Sequence, residues 1–499
     1  MIVLASLRTR SLAIGSSFHR CGLYAFLIAF TCLYYLLNAP ALLGHYDLGW
    51  HLAAGDLIRQ LGHIPFRDPW SFTSGGTQWF NLSWLWDVLA SALFQYTSFS
   101  GLLFFTVACG AVIVGYLASV CLRSGASAIA VCISVLFACL LYPAFASYPN
   151  IYLAASPNTA TMLFSVIFYG ECLKRTRRVL WLPAIMLLWA NLHGGFLIGL
   201  FIIGLFGGLA LLRLDWADFK LYSLAGAGCF LATFINPLGW HVYEGVACTL
   251  GNFAQANITE WFPYYRNITL PGSIPGIIYI LLFVALELRH RRICPLEARL
   301  LSWLFLFLGL YQFRYLAFFF LFSTVPLALQ FDRLLPKQPN SFAVEKSLFV
   351  AGLVAVCALP LVYMQRDRDA GLPQMLSGQD VRYLETHFPD ARLLNNWNYG
   401  GLLIFRARGA VPVFVDGRAA TAYPAALLRD YFKLGRSDVS AAAWDAVLAK
   451  YKIDTVLWPK AHQALRRFLV GERGWQEAYT GSYASIYVRP TALEIDRCP

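Results

Sequence analysis

The sequence predicts a membrane all-α bundle of about eleven transmembrane helices, followed by a smaller α/β domain. Three observations carry this. The 499 residues are 58% hydrophobic and only 13% charged, and windows of about twenty apolar residues, the length that spans a bilayer core, recur along the first three quarters. After about residue 366 the pattern changes to short β-rich runs alternating with helical ones. Lys and Arg, which give a net charge of +12, fall in short clusters between apolar segments: Arg8 and Arg10, Lys174 to Arg178, Arg289 to Arg292. That is the positive-inside pattern of membrane proteins rather than a nucleic-acid footprint.

The apolar runs lie at 22–44, 101–122, 127–146, 158–173, 179–192, 194–212, 218–236, 272–288, 297–312, 313–330 and 347–364. A further candidate, 83–97, is rejected by parity. An even number of crossings must separate the three basic clusters if all are cytoplasmic, and counting 83–97 breaks that condition. It also contains Asp87 and Gln95, which suit a helix lying in the interface. The N-terminus is then inside, and 45–100, the turn near 191–195, the loop 237–271 and everything after about 365 share the outer face. The domains expected are 1–366 in the membrane, with a first outward loop at 45–100, and a soluble extracytoplasmic unit at 367–499. In the latter "RLLNNW", "VPVFVD", "DTVLWP" and "SIYV" read as strands, and "AALLRDYFKL", "SAAAWDAVLAKY" and "AHQALRRFLV" as helices. Most of the twelve Cys lie in apolar runs, with no C-x-x-C pair, so packed thiols are expected rather than disulfides or zinc. The arginines before the first apolar run imitate a signal peptide, but the run is too long and lacks a small-residue cleavage site, which predicts a retained helix.

The outward polar groups form four clusters. "HYDLGWHLAAGDLIRQLGHIPFRDPWSF" follows the first span directly. Asp47 and His51 stand i,i+4 and share a helix face, a pair that can bind a divalent metal or act as base and orienter, unless Asp47 only caps the helix. Arg67 and Asp68 follow in a Pro-bounded loop and either pair or leave Arg67 for a phosphate. In "WANLHGGF", Asn191 and His193 end one span before Gly194 and Gly195 turn the chain back; a His there needs a partner. "INPLGW" and "NITEWFPYY" supply Asn236 and Glu260, the latter a metal ligand or a partner for Arg266 or Arg314. Arg314 opens a strongly apolar span with no nearby charge in sequence, placed to snorkel or to hold an anion. In the C-terminal part Asn395, Trp397, Asn398, Asp416 and Arg418 either contact carbohydrate or build turns. There is no Walker A loop, G-x-S-x-G elbow or H-E-x-x-H.

The order of a first span, "YDLGWHLAAGDLIRQLGHIPFRDPWSF", the amphipathic "NLSWLWDVLASALFQYTSFSG" and a further span resembles the GT-C type membrane glycosyltransferases, which include protein O-mannosyltransferases and aminoarabinose transferases. "WANLHGGF", "NPLGW…ITEW" and "NNWNYGGLL…VFVDGR" look like motifs of an uncharacterised bacterial group of that class. The resemblance implies an inverting transferase of the bacterial plasma membrane that takes sugar from a polyprenyl-phosphate carrier to a glycan, lipid or protein acceptor outside the cytoplasm. It implies Asp47 as catalytic acid residue; the polar clusters themselves offer Arg67, Asp68, Asn191, His193, Asn236 and Arg314 as substrate contacts, and Asp47, His51 and Glu260 as ligands if Mg or Mn is used. The sequence departs from the acid pairs of better known members, since Asp47 has no adjacent acid and is flanked by His45 and His51. A lipid-linked glycan flippase and a non-catalytic assembly protein are the rival expectations.

Overall fold

The computed structural model of the chain describes residues 22–23, 25–34, 46–145, 154–250, 257–267, 273–335, 376–434 and 440–490. His45, the N-terminal arginines and the expected span at 347–364 lie outside them. Helices α1 (Ala25–Tyr34), α2 (Leu48–Leu61), α3 (Trp84–Arg123), α4 (Ala128–Phe145), α5 (Asn158–Leu173) and α6 (Leu182–Leu192) are followed by α7 (Leu197–Leu212), α8 (Trp216–Thr233), α9 (His241–Leu250), α10 (Ser273–His290), α11 (Leu296–Tyr311) and α12 (Leu316–Leu334). Three segments among the described residues are long and apolar enough to cross a bilayer: Trp84–Arg123, Gly194–Leu212 and Phe313–Leu334. Large apolar side chains on the bundle's outside, such as Phe104, Leu212, Leu224, Leu281 and Phe307, are exposed. Without water as a competitor such a surface is at rest in lipid, so the chain is a membrane protein.

The segment that parity removed from the count runs straight into the next span. Residues 84–97 and 101–122 lie in one helical run, interrupted at Ser98, whose backbone leaves the helical region (φ 56°, ψ −153°). A Cβ on Gly101 would lie 1.7 Å from Thr97 Oγ1, so the kink closes only on glycine. The half before the kink lies against α2, as Leu48, Leu52, Trp86 and Ala90 share a small apolar cluster.

One large core holds the bundle together, with Phe168, Trp189, Phe305, Phe319 and Phe322 at its centre. Where α5 and α7 end and α11 begins, basic groups are partly neutralised. Glu297 meets Arg213 and, at 2.8 Å, Arg175, while Glu287 takes Arg299 at 2.8 Å and Gln330 at 2.8 Å. Buried carboxylates need such partners to remain charged.

The C-terminal part contains α13 (Gly378–His387), β1 (Leu393–Asn395), α14 (Trp397–Arg406), α15 (Ala425–Leu434), α16 (Ala441–Lys450), β2 (Thr455–Pro459), β3 (Gln476–Thr480) and β4 (Ala484–Val488). The sheet order is β1-β2-β4-β3, with β1 parallel to β2 and the other pairs antiparallel. Three of the four expected strands are present. "VPVFVD" is not one of them: its backbone pairs with the loop after α2, Val413 N–H to Trp70 O at 3.0 Å and Phe72 N–H to Val413 O at 3.2 Å. Buried except at Pro412, that apolar run has the composition of a sheet strand but is consumed by a contact more than 340 residues away in sequence. β3, half exposed and mixed in polarity, was not expected. Trp50 of α2 and Trp70 and Trp79 of the loop that follows it sit in the same core as Leu403, Phe414, Val456 and Ile486, so this segment and the C-terminal sheet form one packed body. The described cysteines are free thiols.

Candidate functional site

Helix α2 begins directly after Asp47, and Gly62 ends it in the left-handed conformation (φ 71°). Asp47 occupies the N-cap position but its side chain makes no cap hydrogen bond. The cap reading therefore does not describe it. The half-buried carboxylate lies instead against the "VDGR" loop: a Cβ on Gly417 would fall 1.6 Å from Asp47 Oδ1. The approach is close elsewhere too, because a Cβ on Gly49 would meet Gly401 O at 2.4 Å. Glycine pairs let α2 and α14 cross backbone to backbone.

One turn on, His51 is buried, and its Nδ1 lies 2.5 Å from Asp87 Oδ1. Asp87 is fully enclosed and accepts a second bond from Asn81 Nδ2 at 2.8 Å. Asn81 is itself oriented, since its Oδ1 takes the Ser83 N–H at 3.1 Å. Asp87 is 36 residues from His51, and in the sequence it registered only as an argument against spanning.

His193 sits in the tight turn between α6 and α7. Its Nδ1 lies 2.7 Å from Thr161 Oγ1 and accepts the Gly195 N–H at 3.3 Å, while Trp189 Nε1 donates to the same Thr161 oxygen at 2.9 Å. Burial, then the positive charges of Arg314 and His51, push its pKa down from 6.5 to about 3. The Trp84 Nε1 bond to Asn191 Oδ1, at 2.9 Å, and the packing of Gly194 against Leu82 tie this turn to the segment that holds His51 through Asp87, and the charge of Arg314 is felt at His193. Arg314 faces Glu260 at 3.6 Å and stacks over the Trp261 ring at 3.9 Å, a pairing in which the ring takes part of the cation's desolvation. Of the two partners the sequence offered Glu260, Arg314 is the one it meets. The Phe313 N–H to Phe262 O bond, at 2.9 Å, ties these two segments together.

The remaining sequence candidates hold structure. Asn191 donates to Leu187 O and Ile235 O and accepts from Trp84 Nε1, all within 2.9 Å. Asn236 donates to Ala190 O at 2.8 Å and accepts the Leu238 N–H at 2.9 Å. Both line an open groove of about 540 Å³ with Trp84, Leu188 and Phe234. Arg67 and Asp68 do not pair: Arg67, exposed, donates to Gly76 O at 2.8 Å, and Asp68, buried, takes Arg418 at 2.6 Å. The Arg418 guanidinium also reaches Asp416 (2.7 Å) and Tyr423 (3.1 Å), and lies over the rings of Trp70 (4.9 Å) and Trp79 (5.0 Å). Burial alone would lower its pKa; Asp416, Tyr423 and Asp68 reverse this and raise it well above the usual arginine value. Asn395 is likewise internal, bonding Val415 O and the Phe414 N–H at 2.8 Å each, and Asn396 caps α14. Among the described residues no three His, Cys, Asp or Glu side chains cluster as a metal site.

No family model matches the chain, and no curated protein matches it. Solved structures do. The archaeal oligosaccharyltransferase AglB from Archaeoglobus fulgidus, in complex with an inhibitory peptide and a dolichol-phosphate, superposes with a TM-score of 0.58 at 13% identity, covering 93% of this chain and 73% of that one. The fold resembles that of AglB. The apo form of the A. fulgidus enzyme gives a TM-score of 0.57 at 12% identity over 87% of this chain and 69% of that one. Its complex with Zn and sulfate gives 0.55 at 12% identity, over 93% and 72%. AglB is a GT-C type membrane glycosyltransferase, so the class read from the sequence motifs is the class whose fold this chain is similar to. At this identity AglB informs the architecture, and the chemistry has to come from the residues described above.

Proposed function

We propose that the chain is a membrane glycosyltransferase that moves a sugar from a polyprenyl-phosphate donor to a glycan, lipid or protein acceptor outside the cytoplasm, with inversion at the anomeric carbon. The observation that carries this reading is the gathering of polar groups at one end of the bundle: Asp47 and His51 from the first loop, His193 from the α6–α7 turn and Arg314 at the head of α12. The AglB fold supports it, as does the dolichol-phosphate in the AglB complex. In this reading the protein crosses the bacterial plasma membrane eleven times with its N-terminus inside, residues 1–366 in the membrane unit and 367–499 outside.

Asp47 acts as base. It takes the proton of the acceptor hydroxyl as that oxygen bonds the anomeric carbon, and the sugar–phosphate bond breaks on the opposite face. The lipid phosphate leaves with the bonding pair, and Arg314 and the His193 ring receive its charge. Arg67 and Asp68, Asn191 and Asn236, first expected as substrate contacts, act in this account by shaping the loop and groove around the donor. Asp47, His51 and Glu260, expected as ligands if Mg or Mn is used, do not form a cluster that fits such an ion, since Glu260 is paired with Arg314 and no three His, Cys, Asp or Glu side chains cluster among the described residues.

Release of polyprenyl phosphate from a panel of polyprenyl-phosphate sugars, measured in lipid nanodiscs with and without Mg or Mn, tests the proposal. Release that disappears in Asp47→Asn supports it. No release with any donor favours the flippase or assembly reading.

A further inference from the structure

The apolar span Gly194–Leu212 stops where the charged link from Arg213 to Asp215 begins. Its last residues therefore stand at the depth where hydrocarbon gives way to headgroups. A short 3-10 turn, Arg177–Trp181, leads from α5 into α6 and packs on α8 beside this link. Two contacts fix that packing. Tyr222 Oη of α8 donates to Cys172 O at 2.8 Å, and Gly228 makes room for Pro183, whose Cγ would lie 2.8 Å from a Cβ there. Val179 and Leu182 enter the core, which leaves Arg177, Arg178 and Trp181 outside. On α8 the burial of Tyr222 has the same effect. Trp216, Lys220 and Leu224 stand i, i+4 and i+8 on one exposed face.

The basic groups of this region divide into two sets. Lys174 meets Glu171, Arg175 meets Glu297 at 2.8 Å and Asp218 at 3.7 Å, and Arg213 meets Glu297. Those charges are matched inside the protein. No carboxylate among the described residues pairs with Arg177, Arg178 or Lys220. Large apolar side chains stand exposed on the same elements and the link between them: Trp181 is 73% exposed, Leu212 81%, Leu214 69% and Trp216 55%. A free phosphate or an acidic peptide would answer the cations and leave this apolar surface in water. A phospholipid answers both, with its chains on the leucines and its phosphate on the cations. We propose that Arg177, Arg178 and Lys220 form a headgroup site for an anionic phospholipid, which Trp181 and Trp216 hold at the level of the membrane interface. The guanidinium forks suit the two free oxygens of a phosphodiester, and Lys220 adds a point charge. The length of α7 separates this surface from His193, so the site is independent of the transferase reading.

The experiment is native mass spectrometry of the full chain, purified in detergent and equilibrated with equal amounts of phosphatidylglycerol and phosphatidylcholine of the same acyl chains. The expected result is retention of phosphatidylglycerol over phosphatidylcholine by about 10- to 100-fold, since each cation near an anionic headgroup contributes several-fold. The preference falls as salt is raised. Arg177→Gln/Arg178→Gln/Lys220→Gln lowers the ratio by at least about 10-fold. Arg289→Gln/Arg291→Gln/Arg292→Gln removes as many exposed charges from another segment, where no exposed tryptophan stands beside them, and leaves the ratio within about twofold of wild type. An excess of inorganic phosphate leaves the lipid bound. Equal retention of the two lipids by the wild type overturns the proposal, and that measurement needs no variant to fold. So does a ratio unchanged in the first triple variant, or one lost as fully in the second, which would reduce the effect to net charge. Displacement of phosphatidylglycerol by inorganic phosphate would make the three cations a site for the free anion and refute the lipid assignment.

Discussion

Arg418→Met tests whether the loop after α2 and the C-terminal sheet are held as one body. The substitution keeps the length and apolar stem of the side chain and removes its charge. In the wild type the guanidinium is enclosed and bonds Asp68 at 2.6 Å, Asp416 at 2.7 Å and Tyr423 at 3.1 Å, with the rings of Trp70 and Trp79 packed together beside it. Its loss leaves Asp68 and Asp416 buried with no cation to share. Breaking a buried pair from one side costs roughly 3–5 kcal/mol, because the remaining charge stays desolvated. At about 2–4 °C per kcal/mol for a unit of this size, the midpoint should fall by roughly 6–20 °C. Thermal unfolding of the full chain in nanodiscs, followed by tryptophan emission, reads the change where it occurs, since Trp70 and Trp79 lie beside the lost charge. Arg67→Met is the control. One bond to Gly76 O at an exposed site should be worth within about 0.5 kcal/mol. Combined with Asp68→Asn, the Arg418→Met loss should be less than additive. If Arg418→Met melts within a degree or two of the wild type, as Arg67→Met should, the buried cluster does not join the two segments.

Other predictions concern the groups around Asp47. Gly417→Ala places a Cβ where Asp47 Oδ1 now lies, so the carboxylate must move; transfer should fall by about 100-fold while tryptophan emission and melting stay close to wild type, and unchanged turnover would detach Asp47 from the "VDGR" loop. Gly49→Ala drives a methyl into Gly401 O across the α2–α14 crossing and should cost about 1–3 kcal/mol of stability, read as a lower melting midpoint. His193, with its pKa pushed down to about 3, binds no proton between pH 8 and pH 5 in the folded protein; its nitrogen shifts should be flat over that range, whereas a free imidazole titrates near 6.5. A shift change centred near pH 6 would show that the turn does not enclose it.

Much of this was legible because it depends on local pattern. The apolar runs, the positive clusters and the helical spacing of Asp47 and His51 needed no tertiary knowledge, and helices stand over most of the expected spans among the described residues. The C-terminal strands at 393–395, 455–459 and 484–488 were equally readable from their β-branched, apolar composition. What escaped were contacts made across long separations. "VPVFVD" has a strand's composition, and only the distant Trp70 backbone decides that it pairs outside the sheet. Asp68 stands next to Arg67 in sequence, yet its charge is matched by Arg418, and nothing local signals that choice. Asp87 could have been suspected as a carboxylate in an apolar helix, which requires a partner; that the partner is His51 follows only from the packing of α2 on α3. Gly417 carried no signal as a site residue, because its contribution is an absent Cβ.

The most direct test of the central claim separates donor binding from donor cleavage at Asp47. With a polyprenyl-phosphate sugar that the wild type turns over in nanodiscs, binding and single-turnover release of polyprenyl phosphate are measured for the wild type and Asp47→Asn. The account predicts that the variant binds the donor within about twofold of wild type, since Arg314 and His193 are intact, and releases polyprenyl phosphate at least about 100-fold more slowly. Release by Asp47→Asn at the wild-type rate would contradict it, and would place the reacting groups away from the first outward loop.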